Sequence, residues 1–139
     1  MHKKLSQYAV VLIFFVFIAN LAAYKFYWYS SIWWYDMLMH TLGGVFLALL
    51  AGVMARKAMQ REHRGETIVS ILIFVLVLSV GWEIFEYIVQ VLIKPEPFVN
   101  IPDTISDLVC DMVGGTIGVF FVLRAKKRYN STHEPIKNA

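Results

Sequence analysis

The chain has 139 residues, of which 58% are hydrophobic and only 17% are charged. A soluble domain averages about 25% charged residues and interrupts its apolar stretches more often. The composition therefore excludes a nucleic-acid-binding domain as the explanation of the formal charge of +3. Cys110 is the single cysteine, which excludes a fold held by internal disulfides. The composition predicts one integral membrane domain, residues 1–139.

Four stretches are long and apolar enough to cross a bilayer. A hydrocarbon core about 30 Å thick requires roughly 20 mainly apolar residues in a helix. Because unpaired backbone groups are costly in lipid, spans of this length are expected to be helical. The predicted spans are residues 5–24, 32–54, 67–93 and 104–123, followed by a basic tail at 124–139. The sequence therefore predicts an all-α fold, a four-transmembrane-helix bundle.

Lysine and arginine are unequally distributed along this bundle. Eleven of the 13 basic residues and three acids lie in the amino-terminal segment, the middle loop and the tail, which gives this side +8. The other two loops and the span halves beside them hold two basic residues and seven acids, which gives −5. Because basic loops stay in the cytoplasm, we expect both termini to be cytoplasmic.

The first span also has features of a secretory signal peptide. It follows Lys3 and Lys4 and ends near two small residues, Ala22 and Ala23. Its apolar stretch is longer than the core of about 7–15 residues that is usual for a signal peptide. We therefore expect an uncleaved anchor, and cleavage would leave the orientation of the other spans unchanged.

Polar residues in the outer halves of the spans form stripes at helical spacing. Residues three or four positions apart lie on one face of a helix. The stripes are Asp36 and His40 in the second span, Glu83, Glu86 and Gln90 in the third, and Asp103, Asp107 and Asp111 in the fourth, with Asn20 of the first at similar depth. His40, Glu86 and Asp111 each lie about 10 Å from the outer end of their span at the helical rise. Since ionised side chains within spans face the bundle interior, the stripes are expected to converge.

Small residues continue these faces towards the cytoplasmic side. Gly44 follows the stripe of the second span, and Gly114 and Gly118 follow that of the fourth at Gly-x-x-x-Gly spacing. Small residues let helix backbones approach closely in lipid. The sequence therefore predicts a bundle that is tightly packed towards the cytoplasm and contains a polar pocket towards the outside.

The five carboxylates and one imidazole of this pocket need compensating charge, because no basic residue lies in a span at that depth. Either protons or metal ions can supply it. Oxygen-rich sites suit Mg²⁺, Ca²⁺ or Mn²⁺, and a histidine with carboxylates also suits Zn²⁺ or Fe²⁺. The predicted metal ligands are Asp36, His40, Glu83, Glu86, Asp107 and Asp111. Glu83 and Glu86 are also the candidate catalytic pair, with one of them as general base.

Three motifs in combination resemble a known family. They are the Asp-x-x-x-His pattern within residues 34–44, the glutamate pair within 82–86 and the Asp-rich, Gly-rich residues 103–115. Together they resemble the YjdF-type bacterial inner-membrane proteins and, more distantly, VanZ-like proteins. The chain differs from the VanZ-like pattern at Asp111, where that pattern has asparagine. The resemblance implies helical architecture in the bacterial inner membrane and a shared polar core. It implies no particular reaction.

Three classes of function are compatible with such a pocket. The first is a metal-dependent hydrolase or transferase that acts on a phosphorylated or lipid-linked substrate. Its expected partner is the lipid bilayer, and no nucleic-acid partner is expected. The second is a proton- or cation-coupled transport subunit, which at this length would require a homo-oligomer. The third is a structural or partner-binding role. The shared depth of the acidic residues favours the first class.

Overall fold

The computed structural model describes residues 2–55, 63–93 and 100–133, and the secondary-structure elements within these ranges are helices. They are α1 (His2–Phe26), α2 (Trp28–Ser31), α3 (Tyr35–Met54), α4 (Arg64–Ile93) and α5 (Ile101–His133). All except α2 are long and apolar enough to cross a membrane. The predictions of an all-α fold and of four helices with this capacity are therefore confirmed. Most of the basic middle loop, the proline-rich loop and residues 134–139 lie outside the described residues.

Local sequence explains where α4 and α5 begin. The main-chain N–H of His63 donates to the Glu66 carboxylate at 2.9 Å, which satisfies a donor that the helix itself leaves unpaired. Pro102 and Asp103 lie in the first turn of α5. Proline has no N–H to lose at this position, and the negative charge interacts favourably with the helix dipole.

The helices α3 and α5 run in the same direction. Near the start of the contact, a Cβ added to Gly114 of α5 would overlap the main-chain oxygen of Thr41 of α3. Eleven residues later on α3, a Cβ added to Gly52 would lie 2.6 Å from a methyl group of Val122, which also comes later on α5. Contacts thus advance along both helices together. This is the arrangement expected for a four-span protein, because the second and fourth spans, α3 and α5, are joined by one long helix and cross in the same direction.

The helices α1 and α4 run in the opposite direction. Leu5 of α1 lies beside Gly52 near the end of α3, and Ala19 accepts a hydrogen bond of 2.9 Å from the hydroxyl of Tyr35 at its start. Thr67 of α4 accepts a 3.0 Å hydrogen bond from Lys126 near the end of α5. The bundle therefore has a basic end, marked by Lys4, Arg64 and Lys126, and an acidic end, marked by Asp36, Glu86 and Asp103.

A hydrophobic core fills the half of the bundle towards the basic end. A close contact between α3 and α5 borders this half, where a Cβ on Gly44 would overlap the main-chain oxygen of Asp111. Both glycines of the predicted Gly-x-x-x-Gly pair contact α3, which accounts for their small size. The buried core residues are Leu5, Ala9, Ala48, Leu49, Ala51, Ile71, Val75, Val119 and Val122.

A smaller aromatic cluster packs at the acidic end. Tyr27 lies between α1 and α2 with φ 57° and ψ 34°, a left-handed conformation that ends α1. The hydroxyls of Ser30 and Ser31 donate to its main-chain oxygen at 3.0 and 2.7 Å. The α2 turn places the Tyr29 ring edge-on against Tyr35, with centroids 5.1 Å apart. The turn therefore packs against the start of α3.

Candidate metal centre

His40 lies on α3 at the centre of the polar residues and faces α5. Asp36 precedes it by one turn, and Asp107 and Asp111 are separated by one turn on α5. Because the two helices run in parallel and residues four apart share a face, the pair on α3 meets the pair on α5. The predicted convergence of these two stripes is what the structure shows.

Three carboxylates surround the His40 imidazole. The Nδ1 atom lies 3.3 Å from Oδ2 of Asp111. The Nε2 atom lies 3.9 Å from Oδ1 of Asp36 and 3.9 Å from Oδ1 of Asp107. The imidazole therefore has one carboxylate within hydrogen-bonding distance of Nδ1 and two carboxylates spaced around Nε2.

Asp36, His40 and Asp107 form a group that could hold a metal ion. Each offers one ligand atom, and these three atoms all lie within 4.8 Å of one another. Bonds from Zn²⁺ to nitrogen and carboxylate oxygen are about 2.0–2.2 Å long. Small side-chain rotations would therefore bring the three atoms onto one ion. The same contacts are ion pairs when the imidazole is protonated and no metal is bound.

Burial increases along the site from the acidic end inwards. Asp103 is exposed, and the Asp36 side chain is 40% exposed. The side chains of His40, Asp107 and Asp111 are only 8%, 7% and 6% exposed. Immediately beyond Asp111 the α3 and α5 backbones come into contact at the glycines. The polar residues of the predicted pocket are therefore exposed at the acidic end and buried next to the glycine contacts between α3 and α5.

The two glutamates of α4 lie near this group but not within it. Glu86 accepts a hydrogen bond of 2.9 Å from the indole Nε1 of Trp82. Neither glutamate belongs to the group of three ligand atoms found among the described residues. The structure thus places Asp36, His40, Asp107 and Asp111 in direct contact, with Glu83 and Glu86 on the neighbouring helix.

Ser79 was not predicted from the sequence as a site residue. It is 1% exposed, and its Oγ has no hydrogen-bond partner in the described part of the chain. The Oε1 atom of Glu83, one turn further along α4, is also enclosed and equally unpartnered among the described residues. The spacing of four between Ser79 and Glu83 was the signal available in the sequence.

Tyr29 is a second residue that sequence reasoning missed. Its hydroxyl donates a 3.1 Å hydrogen bond to Oδ1 of Asn20, an amide that the sequence placed at the depth of the pocket. The pKa of Tyr29 is raised to about 12. The largest cause is burial, and the negative charges of Asp36, Tyr35 and Glu86 act in the same direction. Tyr29 therefore keeps its proton and remains a donor beside the mouth of the pocket.

Comparison with known proteins gives a family match. No curated protein and no solved structure matches the chain. Residues 1–128 match the model of a family described as "Predicted membrane protein (DUF2238)". This is the family of the YjdF-type proteins, and the match gives no support to the more distant VanZ-like resemblance. Because the match covers nearly the whole chain, the protein belongs to the DUF2238 family of predicted membrane proteins.

Proposed function

We propose that this protein binds a divalent metal ion through Asp36, His40 and Asp107 and uses it to act on a phosphorylated or lipid-linked substrate. The observation that carries the proposal is the group of three ligand atoms within 4.8 Å of one another, with His40 and Asp107 buried. They come from two helices that glycine contacts hold in register. Such a group is held by the fold rather than by flexible loops.

Asp111 has the position of a residue that orients a metal-binding histidine. Metal-bound histidines usually donate the other ring N–H to a carboxylate or carbonyl, which fixes the tautomer and the ring orientation. Asp111 lies at Nδ1, so a proton on Nδ1 would be donated to Asp111 and would leave the lone pair of Nε2 towards Asp36 and Asp107. We therefore assign Asp111 as a positioning residue rather than a ligand.

A divalent metal ion would balance most of the negative charge of these residues. Three carboxylates around a protonated imidazole leave two net negative charges on mostly buried side chains, and unbalanced charge within a membrane span is costly. A divalent ion bound by the neutral imidazole leaves only one. Of Mg²⁺, Ca²⁺, Mn²⁺ and Zn²⁺, the mixed nitrogen and oxygen ligands favour Zn²⁺ and Mn²⁺.

A metal ion here could support hydrolysis of a phosphate ester. The ion would polarise a phosphoryl oxygen and lower the pKa of a bound water. That water would form a bond to phosphorus and lose a proton to the general base, and the leaving oxygen would take up a proton as its bond to phosphorus breaks. Glu86 is the better placed of the two candidate catalytic glutamates, because its carboxylate is fixed by Trp82 at the open side of the pocket.

The distribution of charge supports an orientation in the bacterial inner membrane. The described basic residues at the basic end include Lys4, Arg64, Arg124, Lys126, Lys127 and Arg128. With the basic end in the cytoplasm, both termini are cytoplasmic and the pocket opens at the outer side of a multi-pass protein. A substrate anchored in the outer leaflet would then reach the pocket from the bilayer.

The alternatives are a proton- or cation-coupled transport subunit and a structural role. A carrier needs a pathway to both sides of the membrane. Between α3 and α5, contacts at Gly44 and Gly114 close the base of the pocket. A transport function would therefore require helix separation or a second copy of the chain in a homo-oligomer.

Metal analysis of detergent-purified protein tests the proposal. Protein stripped with chelator, reloaded with Zn²⁺ or Mn²⁺ and desalted should retain at least one equivalent per chain. Asp107→Asn, which removes a ligand charge without changing size, should lose it, whereas Glu66→Gln at the basic end should retain it as a matched control. Absence of retained metal in the wild type, or equal retention in Asp107→Asn, would refute the proposal.

A further inference from the structure

We propose that α5 binds the headgroups of anionic phospholipids at the basic end of the bundle, through a basic stripe formed by Arg124, Lys127 and Arg128. At the helical rise, Arg124 lies about 20 Å along α5 from Asp111. The basic stripe is therefore separate from the candidate metal centre and does not depend on a bound ion. Its ligand is a lipid of the surrounding bilayer, recognised by its phosphate group and its negative charge.

The exposed face of α5 is the first observation. Large apolar side chains recur on it at spacings of three or four residues, and these are Val109, Val113, Ile117 and Phe120, all of them exposed. Residues at this spacing share one face of a helix. In a helix that crosses a membrane, an exposed apolar face contacts lipid tails. This face of α5 is therefore the one that adjoins lipid.

The same face becomes basic where the apolar span ends. Arg124 follows Phe120 by four residues, and Lys127 and Arg128 follow Arg124 by three and four. The helix continues to His133, so the spacing still places these side chains on the lipid-facing side. All three basic residues are exposed. The stripe of apolar side chains is therefore extended by basic ones without a change of face.

The inward face of α5 ends differently. Val119 and Val122 are buried on it, and Lys126 follows them at helical spacing. Its amino group donates a 3.0 Å hydrogen bond to the hydroxyl of Thr67 on α4, a residue that is fully buried. Lys126 therefore takes part in the contact between two helices, whereas the basic stripe lies on the face that adjoins lipid.

The depth of the basic stripe matches that of lipid headgroups. The predicted span ends at Leu123, and the helical rise places Arg124 about 2 Å and Arg128 about 8 Å beyond it. The headgroup layer on each side of a bilayer is roughly 5–8 Å thick. The Arg124 guanidinium lies 6.0 Å from the centre of the Phe120 ring, at the boundary between tails and headgroups. The stripe therefore extends through the headgroup layer.

Charge defines the class of lipid. This side of the chain holds eleven basic residues and three acids. One of these acids, Glu66, accepts the main-chain N–H of His63 at the start of α4. Each basic residue directly beyond a membrane span raises the affinity for an anionic surface about fivefold. The arginine fork also fits two phosphate oxygens. A lipid with a net negative headgroup, such as phosphatidylglycerol, suits this stripe better than zwitterionic phosphatidylcholine.

Spin-labelled lipids test the proposal. Full-length protein is reconstituted in phosphatidylcholine with a trace of spin-labelled phosphatidylglycerol or phosphatidylcholine, and electron paramagnetic resonance measures the fraction of label immobilised at the protein. At low salt, phosphatidylglycerol should associate about fivefold more strongly or better. The double variant Arg124→Gln, Lys127→Gln should lower this ratio to below about twofold, since two of the three charges are lost. The charge-conserving variant Arg124→Lys, Lys127→Arg should keep the wild-type ratio.

Lys4→Gln, Arg64→Gln is the matched control, because it removes two exposed basic residues at the same end of the bundle from other helices. It should keep most of the selectivity. Equal loss in this control and in Arg124→Gln, Lys127→Gln would overturn the assignment to α5. If the latter variant does not fold, Lys127→Gln alone replaces it, at an exposed position.

The salt dependence of the wild type is a second measurement that requires no variant. The screening length falls to about 3 Å in 1 M salt, so the preference for phosphatidylglycerol should be lost there. Equal association of the two lipids at low salt, or a preference that persists in 1 M salt, would overturn the proposal. None of these measurements uses a divalent ion, so their outcome is independent of the metal centre.

Discussion

The α3–α5 pair has two halves with opposite properties. Towards the basic end the two helices contact each other through glycine and alanine and pack against the apolar core. Towards the acidic end the same two helices instead carry an imidazole and three carboxylates between them. The boundary lies at Gly44 and Asp111, where the backbones touch. The first half stabilises the bundle, which allows the second half to contain groups that contribute little to stability.

The largest expected effect comes from breaking the tightly packed half. In Gly44→Ala, the new Cβ would overlap the main-chain oxygen of Asp111, so α3 and α5 must separate. Overpacking a core typically costs 1–3 kcal/mol and occasionally more, and here the obstacle is backbone, so we expect about 3 kcal/mol or more. Unfolding monitored by circular dichroism in detergent measures it.

Gly81→Ala is the matched control for this substitution. No atom lies within 4 Å of a Cβ added at Gly81, and α4 is helical there. Alanine at such a position should leave stability unchanged or raise it by up to about 1 kcal/mol. Equal destabilisation by both substitutions would show that the α3–α5 contact is not what holds the bundle.

The second effect tests the polar half without disturbing the packed half. A ligand present at 100 times its dissociation constant stabilises the folded state by about 2.7 kcal/mol. Added Zn²⁺ or Mn²⁺ should therefore stabilise the wild type by this amount and give no such gain in His40→Gln. The metal-free form of His40→Gln should unfold within about 1 kcal/mol of the wild type, since the glycine contacts remain. A metal-free variant that is far less stable would instead indicate a structural role for His40.

A smaller effect separates the ligands from the residue that orients them. In Asp111→Asn an oxygen can still accept the Nδ1 proton, but without a negative charge. Loss of such an orienting partner typically lowers metal affinity 10- to 100-fold. We therefore expect weaker binding at unchanged stoichiometry, measured by competition with a chelator, whereas Asp107→Asn should lose the ion. Equal losses in both variants would make Asp111 a ligand.

The sequence predicted much of the site because its signals are periodic. Spacings of four at Asp36 and His40, and at Asp107 and Asp111, are sufficient to place both pairs on inward faces at one depth. The division of roles among the carboxylates depends on the rotation of α5 about its axis. That rotation is set by glycine contacts with α3, and the Gly-x-x-x-Gly spacing predicts a close contact without specifying which residues of α3 it meets.

Other parts of the site have a weaker signal in the sequence, or none. Ser79 is a single small polar residue within an apolar stretch, which is ordinary in a membrane span. The turn at Tyr27 lies in an aromatic segment whose composition predicts an interface but not a left-handed residue followed by α2. Tyr29 reaches the pocket only because of that turn, so its position could not be read from the spans.

The smallest expected effect concerns the hydrogen bond between Trp82 and Glu86. Trp82→Phe removes the indole donor but keeps an aromatic side chain at a position that is 49% exposed. The net contribution of a single hydrogen bond is about 0.5–1.5 kcal/mol, so stability should change by no more than that. Metal content should stay at the wild-type level, because Glu86 lies outside the group of ligand atoms. A loss of metal in Trp82→Phe would mean that Glu86 moves onto the ion, and the polar half would then extend across three helices rather than two.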